Sequence, residues 1–231
     1  MRLPSVETAL RVTLSAVAAF APRRARPRIL SLVPGFRVHP TSSIGCSFLC
    51  PSRSLDIGPH TRVGNLTLVR RLDRLEMRAY SGIGNLNTIT GWPQGSREPY
   101  HATSPDRVPE LVLGERAVIT NRHYFDCADS VRLDDGSAVT GLRTVVLTHG
   151  LSIASGAQGC RPVRVGRCSL VTTTCVILGG SVLPDFCVLT PLSLLREAHT
   201  EKYQMYAGNP ATAVRQLDPD AGFFRNAMGT P

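Results

Sequence analysis

The sequence predicts a mainly β protein, folded as a solenoid of short parallel strands, and the first observation is a period of six. Aliphatic residues recur every six positions, and a small residue follows each of them four positions later. The aliphatic residues are Val165, Val171, Ile177, Leu183 and Leu189, and the small ones are Ser169, Cys175, Ser181, Cys187 and Ser193. A helix cannot keep residues that are six apart on one face, and a flat strand of this length would be far longer than usual. A chain that turns a corner every six residues can bury all of them, so the period indicates stacked β-coils.

The second observation is that the same hexad opens repeatedly earlier in the chain, as an aliphatic residue followed by glycine. The pairs are Ile44-Gly45, Ile57-Gly58, Val63-Gly64, Ile83-Gly84 and Leu113-Gly114, and two further hexads open at Leu133 and Val139. We therefore expect coils over residues 38–196. The rhythm stops over 92–110, which is rich in proline, and over 150–163, which is rich in glycine and serine. Both stretches are predicted to be loops that leave the solenoid, and loops of this length usually have a function.

The two ends of the chain do not follow the hexad. Residues 1–37 contain the apolar run Val12–Ala21, which is too short to span a bilayer, and Pro22 would hinder its cleavage as a leader. We expect an N-terminal helical segment packed on the solenoid, with the arginines after it solvated and without contact with a membrane. The tail, 197–231, is predicted to hold a short helix beginning at Thr212.

Composition narrows the possible partners. The net charge is +9, and Lys202 is the only lysine, so the basic charge is almost entirely arginine. No helix-turn-helix, zinc-finger or RNA-binding motif accompanies it, which argues against nucleic acid and favours a phosphate-rich small molecule. The seven cysteines contain no C-x-x-C pair and the histidines lack metal-ligand spacing, so we expect no metal and a reducing cytoplasm.

Three further sequence features occur in a fixed order along the chain, and this order is specific enough to indicate a family. Leu147-Thr148-His149-Gly150 precedes the glycine-rich loop, five unbroken hexads follow, and Ala207-Gly208-Asn209-Pro210-Ala211 closes the series. Over residues 35–225 this order resembles the hexapeptide-repeat acyltransferases, and especially their polysaccharide and sugar O-acetyltransferases. The resemblance implies a left-handed parallel β-helix with an N-terminal helical segment and a short C-terminal helical tail. The left hand is implied by the resemblance alone, because parallel crossovers generally favour the right hand.

The resemblance also implies that His149 is the catalytic base. Acetyl transfer from a thioester to an alcohol needs a base whose pKa is near neutrality, and histidine supplies one. The hydroxyl can then attack the thioester directly, with backbone N–H groups stabilising the oxyanion. The sequence contains no G-x-S-x-G nucleophile motif.

On the acceptor side, the resemblance points to an asparagine and a carboxylate in the stretch 121–129. Spacing matches these to Asn121 and Asp129, with Asp126 as a rival that could instead orient His149. His123, in the same stretch, and Thr148 are further candidates for substrate binding. The alternative for Asn121 is a turn residue that caps a corner.

On the donor side, the resemblance implies acetyl-CoA lying between coils, near Thr173, Thr174 and Pro191. Pro191 departs from the family pattern because it lacks the N–H that a small residue would offer to the donor. Asn209 belongs to the closing turn, and Arg215 beyond it is either a partner for a coenzyme phosphate or a solvated arginine.

These features together predict a cytoplasmic homotrimer that transfers an acetyl group from acetyl-CoA to a hydroxyl of a sugar or other polyhydroxylated acceptor. The trimer is implied by the family, in which active sites lie between subunits. Pro191 keeps two alternatives open. One is a non-catalytic solenoid that acts as an assembly or binding subunit, and the other is an acyltransferase for a different donor in natural-product biosynthesis.

Overall fold

The protein is a three-sided parallel β-helix, in a computed structural model that describes residues 6–95 and 103–227. Strands are numbered along the chain. Sheet A contains β1 (Phe36–Val38), β4 (Ser54–Ile57), β7 (Arg74–Met77), β10 (Glu110–Leu113), β13 (Val131–Leu133), β18 (Val163–Val165) and β21 (Val182–Leu183). Sheet B contains β2 (Ser43–Ile44), β5 (Arg62–Val63), β8 (Gly82–Ile83), β11 (Val118–Ile119), β14 (Ala138–Val139), β19 (Leu170–Val171), β22 (Val188–Leu189), β24 (Gln204–Gly208) and β25 (Ala211–Gln216).

Sheet C forms the third side of the solenoid. It contains β3 (Phe48–Cys50), β6 (Leu68–Arg70), β9 (Thr88–Thr90), β12 (Tyr124–Asp126), β15 (Val145–Leu147), β20 (Val176–Leu178) and β23 (Leu194–Leu195). Within the coils the chain visits sheets A, B and C in turn, and each strand up to β22 pairs in parallel with its counterparts in the neighbouring coils. Val165 pairs with Leu183, three hexads on, so the period of six in the sequence is one side of the solenoid. The predicted fold class, a left-handed parallel β-helix, is confirmed.

The core is the narrow interior between the three sheets. All five hexad aliphatics from Val165 to Leu189 are at most 1% exposed, and the five small residues that accompany them are buried as well. Burying aliphatic side chains of this size stabilises the fold by about 1.5–3 kcal/mol each. The hexad is therefore a packing rule in which one residue of each side fills the interior and a small one fits beside the corner.

The corner between sheets B and C is stacked with hydrogen bonds that run along the solenoid. Asn65 Oδ1 accepts the N–H of Cys46 at 2.8 Å, and Asn85 Oδ1 accepts that of Asn65 at 2.7 Å. The side chains reach the next coil because glycine precedes them. A Cβ on Gly64 would stand 2.6 Å from the carbonyl oxygen of Gly84. The aliphatic-glycine pairs of the sequence mark these close approaches.

Two helices cover the first coil. These are α1 (Val6–Phe20) and α2 (Arg26–Leu30). Ser15 of α1 donates its hydroxyl to the carbonyl oxygen of Leu49 at 2.9 Å, and Arg11 donates to that of Pro51 at 3.2 Å. The N-terminal segment thus packs on the solenoid as predicted. Among residues 6–95 and 103–227, no helix has the length and apolar character needed to span a membrane.

The second interruption of the coils is a β-hairpin. Its strands are β16 (His149–Leu151) and β17 (Gln158–Cys160), which pair antiparallel. Part of the first interruption, residues 96–102, lies outside the described residues. Its described end meets the hairpin, because the backbone N–H of Cys160 donates to Ser104 Oγ at 2.8 Å.

The tail differs from the prediction. The helix expected from Thr212 is wrong, because residues 211–216 form β25, which pairs antiparallel with β24 at the end of sheet B. Thr212 and Val214 have good strand propensity, and the free edge of sheet B supplies a partner for their backbone. A short helix, α3 (Gly222–Ala227), follows later. Its Phe224 packs against Phe186 with ring centroids 5.7 Å apart.

Candidate active site

His149 lies at the corner where the chain leaves sheet C and starts the hairpin. The residue before it, Thr148, fixes this corner. Its hydroxyl donates to the carbonyl oxygen of Asp126 at 2.9 Å and accepts the N–H of Asp129 at 3.0 Å. Thr148 is 1% exposed, and its hydroxyl holds the corner. Thr148 also lines the cavity beside His149, and its part in substrate binding stays a prediction.

The ring of His149 is paired with a buried carboxylate. Its Nδ1 is in hydrogen-bond contact with Oδ2 of Asp126, the residue in line with Leu147 on the preceding coil. The side chain of Asp126 is 3% exposed, whereas that of His149 is 36% exposed. Oδ1 of Asp126 accepts the N–H of Ala128 at 3.2 Å, which fixes the carboxylate. A neutral ring that donates from Nδ1 carries its lone pair on Nε2, so this pair orients His149 as a base.

The same carboxylate raises the pKa of His149. The hydrogen bond that the ring donates to Asp126 is the largest cause, and burial of the ring opposes it. Because the folded-state pKa lies above the ordinary value of 6.5, the pair stabilises the fold fully below that pH. This stabilisation is lost as the pH rises through the folded-state pKa. His149 therefore loses its second ring proton, and can act as a base, at a higher pH than an ordinary histidine does.

We expect the replacement Asp126→Asn to lower the pKa of His149, because the amide removes both the charge and the ionic acceptor. An NMR titration of the histidine Cε1–H signals, with His149 assigned from a His149→Ala variant, measures this. The wild-type signal should titrate above pH 6.5 and the variant signal below the wild-type value. His60, exposed and away from Asp126, is the internal control. Unchanged titration of His149 in the variant would contradict the pairing.

Asp129, the first choice for the acceptor-side carboxylate, lies in a backbone turn instead. Its Oδ1 accepts the N–H of Val108 at 2.9 Å and that of Ser130 at 2.8 Å. These bonds tie the end of the first interruption to the start of β13, and Asp129 is buried. The rival carboxylate, Asp126, is the one that contacts His149, whereas Asp129 hydrogen-bonds to backbone N–H groups.

His123 is a buried corner histidine, and its part in substrate binding stays a prediction. It is 2% exposed. Its Nδ1 accepts the N–H of Thr144 at 3.1 Å, and its Nε2 lies 3.1 Å from the hydroxyl of Thr120. Nδ1 can accept only when it is unprotonated, so the ring is neutral in the fold. Burial lowers the pKa of His123 to about 4.

The depressed pKa of His123 makes the fold sensitive to acid. Its contribution is fully present above the ordinary pKa of 6.5 and is lost as the pH falls from 6.5 toward about 4. In urea titrations the wild type should lose about 1 kcal/mol of unfolding free energy per pH unit over this range. The variant His123→Gln should lose less over the same range. Parallel losses in the two proteins would show that His123 does not titrate in this way.

Asn121 caps a corner. Its Oδ1 accepts the backbone N–H of Asn85 at 2.7 Å and the Asn85 side-chain N–H at 3.0 Å, continuing the hydrogen-bond stack between sheets B and C. The turn-residue alternative thus describes its contacts in this chain. His149 follows β15, whereas Asn121 precedes β12, so the two lie at opposite ends of strands of sheet C.

The predicted donor residues share the corner of Asn121. Thr173 and Thr174 lie between β19 and β20, and Pro191 lies one coil later, between β22 and β23. Thr173 is anchored there, since its hydroxyl donates to the carbonyl oxygen of Leu142 at 3.0 Å. Asn209 is in the turn between β24 and β25, and Arg215 is exposed on β25. The structure groups these residues along sheet B and its corner with sheet C, and separates them from His149 within one chain.

A cavity of about 550 Å³ opens beside His149. Both interruptions of the coils contribute to it, the first through Thr103 and Ser104 and the second through residues of the hairpin. Leu178 and Gly179, from the coil that follows, complete the wall. The loops predicted to shape a pocket therefore converge at the predicted base.

Sequence reasoning missed Arg107, which closes the neck of the first interruption. Its guanidinium donates to the carbonyl oxygen of Ala128 at 2.9 Å and to that of Pro93 at 3.0 Å. Arg107 is 7% exposed although it lies in a polar loop. An arginine in a polar loop is normally expected to be exposed to solvent. Arg107 lies outside the hexad period, so no sequence pattern indicates that it is buried.

Searches against protein-family models and curated proteins find no match for the sequence. Solved structures do match. The polysialic acid O-acetyltransferase OatWY aligns at 15% identity over 81% of this chain and 90% of its own, with a TM-score of 0.53. A hexapeptide-repeat acetyltransferase from Vibrio cholerae, complexed with acetyl coenzyme A, aligns at 13% identity over 92% and 87%, with a TM-score of 0.43. A maltose O-acetyltransferase from Clostridium difficile aligns at 12% identity over 93% and 90%, with a TM-score of 0.39.

These comparisons concern shape, since the identities are far too low to transfer a reaction. The match to OatWY extends over most of both chains and agrees with the three-sided coil and its register. The chain thus has the left-handed β-helix fold of the hexapeptide-repeat acetyltransferases.

Proposed function

We propose that the protein is an O-acetyltransferase that moves an acetyl group from acetyl-CoA to a hydroxyl of a sugar or other polyhydroxylated acceptor. The observation that carries this proposal is the His149–Asp126 pair at the mouth of the cavity. It joins a partly exposed imidazole to a buried, anchored carboxylate, which is the arrangement a general base requires. The fold shared with the polysialic acid O-acetyltransferase supports the same class of reaction.

The reaction needs one proton transfer and one exchange of bonds. His149 takes the proton of the acceptor hydroxyl on Nε2, and the oxygen attacks the thioester carbonyl. A C–O bond forms and the C–S bond breaks, and the imidazolium returns its proton to the departing coenzyme thiolate. Asp126 keeps the ring in the productive tautomer and stabilises the imidazolium. No covalent acyl-enzyme is required.

A neighbouring copy completes the site in this proposal. Thr173, Thr174 and Pro191 lie at the far end of sheet C from His149. Three chains packed side by side would bring the donor corner of one copy to the base of the next. The proposed assembly is therefore a homotrimer with active sites between subunits. We propose the reducing cytoplasm as its location, because Cys127, Cys175 and Cys187 are packed into the interior of the solenoid as small apolar residues.

Pro191 provides a prediction about the donor. It is exposed at its corner and offers no N–H to a coenzyme arm. The variant Pro191→Ala should bind coenzyme A about fivefold more tightly, because one hydrogen bond contributes about 1 kcal/mol. Calorimetric titration of both proteins with coenzyme A measures the difference. Equal affinities of the two proteins for coenzyme A would contradict the proposal that the donor binds at the corner of Pro191.

The proposed function is tested by incubating the protein with acetyl-CoA and a panel of sugars, while following release of the coenzyme thiol and the mass of the product. Sugar-dependent thiol release with a mass gain of one acetyl group supports the proposal. Saturable binding of acetyl-CoA without transfer to any sugar would favour an acceptor of another class. Absence of donor binding in a folded protein would favour the non-catalytic solenoid or a different acyl donor.

A further inference from the structure

The wall of the cavity beside His149 carries an arginine that the proposed reaction does not use. Arg161 follows β17 directly, and its backbone N–H donates to the carbonyl oxygen of Thr148 at 2.9 Å. The residue is therefore held next to the base by the backbone of the corner itself. Its side chain is exposed, so the guanidinium is available to a ligand in the cavity.

The guanidinium of Arg161 has a defined place on the next coil. A Cβ on Gly180 would stand 3.1 Å from its Cζ and Nη1 and 3.2 Å from its Nε, so the group lies against the bare backbone of that glycine. Gly179 permits the same approach of the main chain, because a Cβ there would stand 3.0 Å from the carbonyl oxygen of Arg161. Arg161 thus packs against the backbone of Gly179 and Gly180. Because this packing already restricts its long side chain, less conformational entropy is lost when a ligand binds.

Among the described residues, none neutralises the charge of Arg161. Within residues 6–95 and 103–227, no carboxylate lies within ion-pair distance of it. Arg164, three residues later, makes ion pairs with Asp134 and Asp185. Of the described residues that line the cavity, none is an aspartate or a glutamate. The carboxylate of Asp126 lies behind His149, where it is buried.

We propose that Arg161 binds an anionic group of the acceptor, a carboxylate or a phosphate, and so selects acidic sugars over neutral ones. This rests on the proposed function, because it assigns a substrate class to the same cavity. A planar guanidinium can donate two parallel hydrogen bonds to a carboxylate, which fixes orientation as well as position. Binding the anion there would hold the rest of the acceptor, with its hydroxyls, against His149. Thr103 and Ser104 also line the cavity, where their hydroxyls hydrogen-bond to the backbone of β17.

The test compares glucuronate with glucose, two probes with the same ring that differ in a carboxylate. Histidine-labelled protein is titrated with each, at a pH two units above the measured pKa of His149, so that the imidazole is neutral. The His149 signal should shift saturably with glucuronate, with a Kd at least tenfold lower than for glucose. Arg161→Gln should weaken glucuronate binding about tenfold and leave glucose unchanged, and Arg161→Lys should give an intermediate value. Arg28→Gln, an exposed arginine of α2, is the matched control and should change neither.

The outcomes separate the possible sources of the anion. Equal Kd values for glucuronate in the wild type and in Arg161→Gln would overturn the proposal. So would a loss of coenzyme A affinity in Arg161→Gln with glucuronate binding unchanged, because the arginine would then serve the donor phosphates. Binding is read without turnover, so discrimination by Arg161 in a protein that transfers no acetyl group would contradict the proposed function alone.

Discussion

Replacing His149 by alanine should lower acetyl transfer about 10²- to 10⁴-fold, the usual contribution of a general base. The loss should appear in kcat, since the imidazole takes the hydroxyl proton in the transition state and contributes little to binding either substrate. Its side chain lies outside the hydrophobic interior, but removing it leaves the buried carboxylate of Asp126 without its ring partner, so circular dichroism must first show that the variant is folded. Initial rates of thiol release, with the best sugar of the panel, measure the effect.

The control for this variant is His60→Ala. His60 is another exposed corner histidine, and it stacks on Tyr80 with ring centroids 5.0 Å apart. It should leave turnover unchanged. The variant Asp126→Asn should lose less activity than His149→Ala at high pH, because the base remains although it is less well oriented. Full activity of a folded His149→Ala protein would end the proposed mechanism.

Replacing Ile177 by alanine should lower the free energy of unfolding by about 2–5 kcal/mol. Ile177 is 0% exposed on β20, and its side chain fills the interior between the three sheets. A narrow solenoid can close such a cavity only by drawing neighbouring coils together, which their hydrogen-bonded register opposes. Urea unfolding, followed by circular dichroism, measures the loss.

Ile153→Ala makes the same chemical change at a site that is 88% exposed, between the strands of the hairpin. It should alter unfolding by no more than about 0.5 kcal/mol. If both isoleucine variants unfold alike, the inward orientation of the hexad aliphatics is wrong.

The sequence predicted the solenoid well because its signal is repeated. Each hexad restates which residue faces inward, so one irregular residue cannot mislead the assignment. Thr212–Gln216 has no such repetition, and there the helix prediction failed. Its strand depends on the edge that β24 leaves free, which is a contact with an earlier part of the chain and leaves no mark in local sequence.

The candidate site was predicted less completely, and for a related reason. His149 stands beside an interruption of the coils, which the sequence displays. Asp126 and Asp129 both lie at the end of the strand that precedes the corner, three residues apart. Spacing alone cannot tell which of the two carboxylates meets a ring one coil away. His123 shows the same limit, because a histidine that donates and accepts within a corner has the same sequence signature as one that meets a ligand.

The reversal of the chain at β25 also determines the length of the molecule. A parallel β-helix is by construction a segment of a filament, since its last coil offers the same unsatisfied backbone as every coil before it. Here the strand that would template another coil in sheet B is covered by one running the other way, and α1 and α2 cover the first coil. Because β25 covers the last coil in sheet B and the two helices cover the first coil, other chains cannot extend the β-helix at these positions by adding a parallel strand.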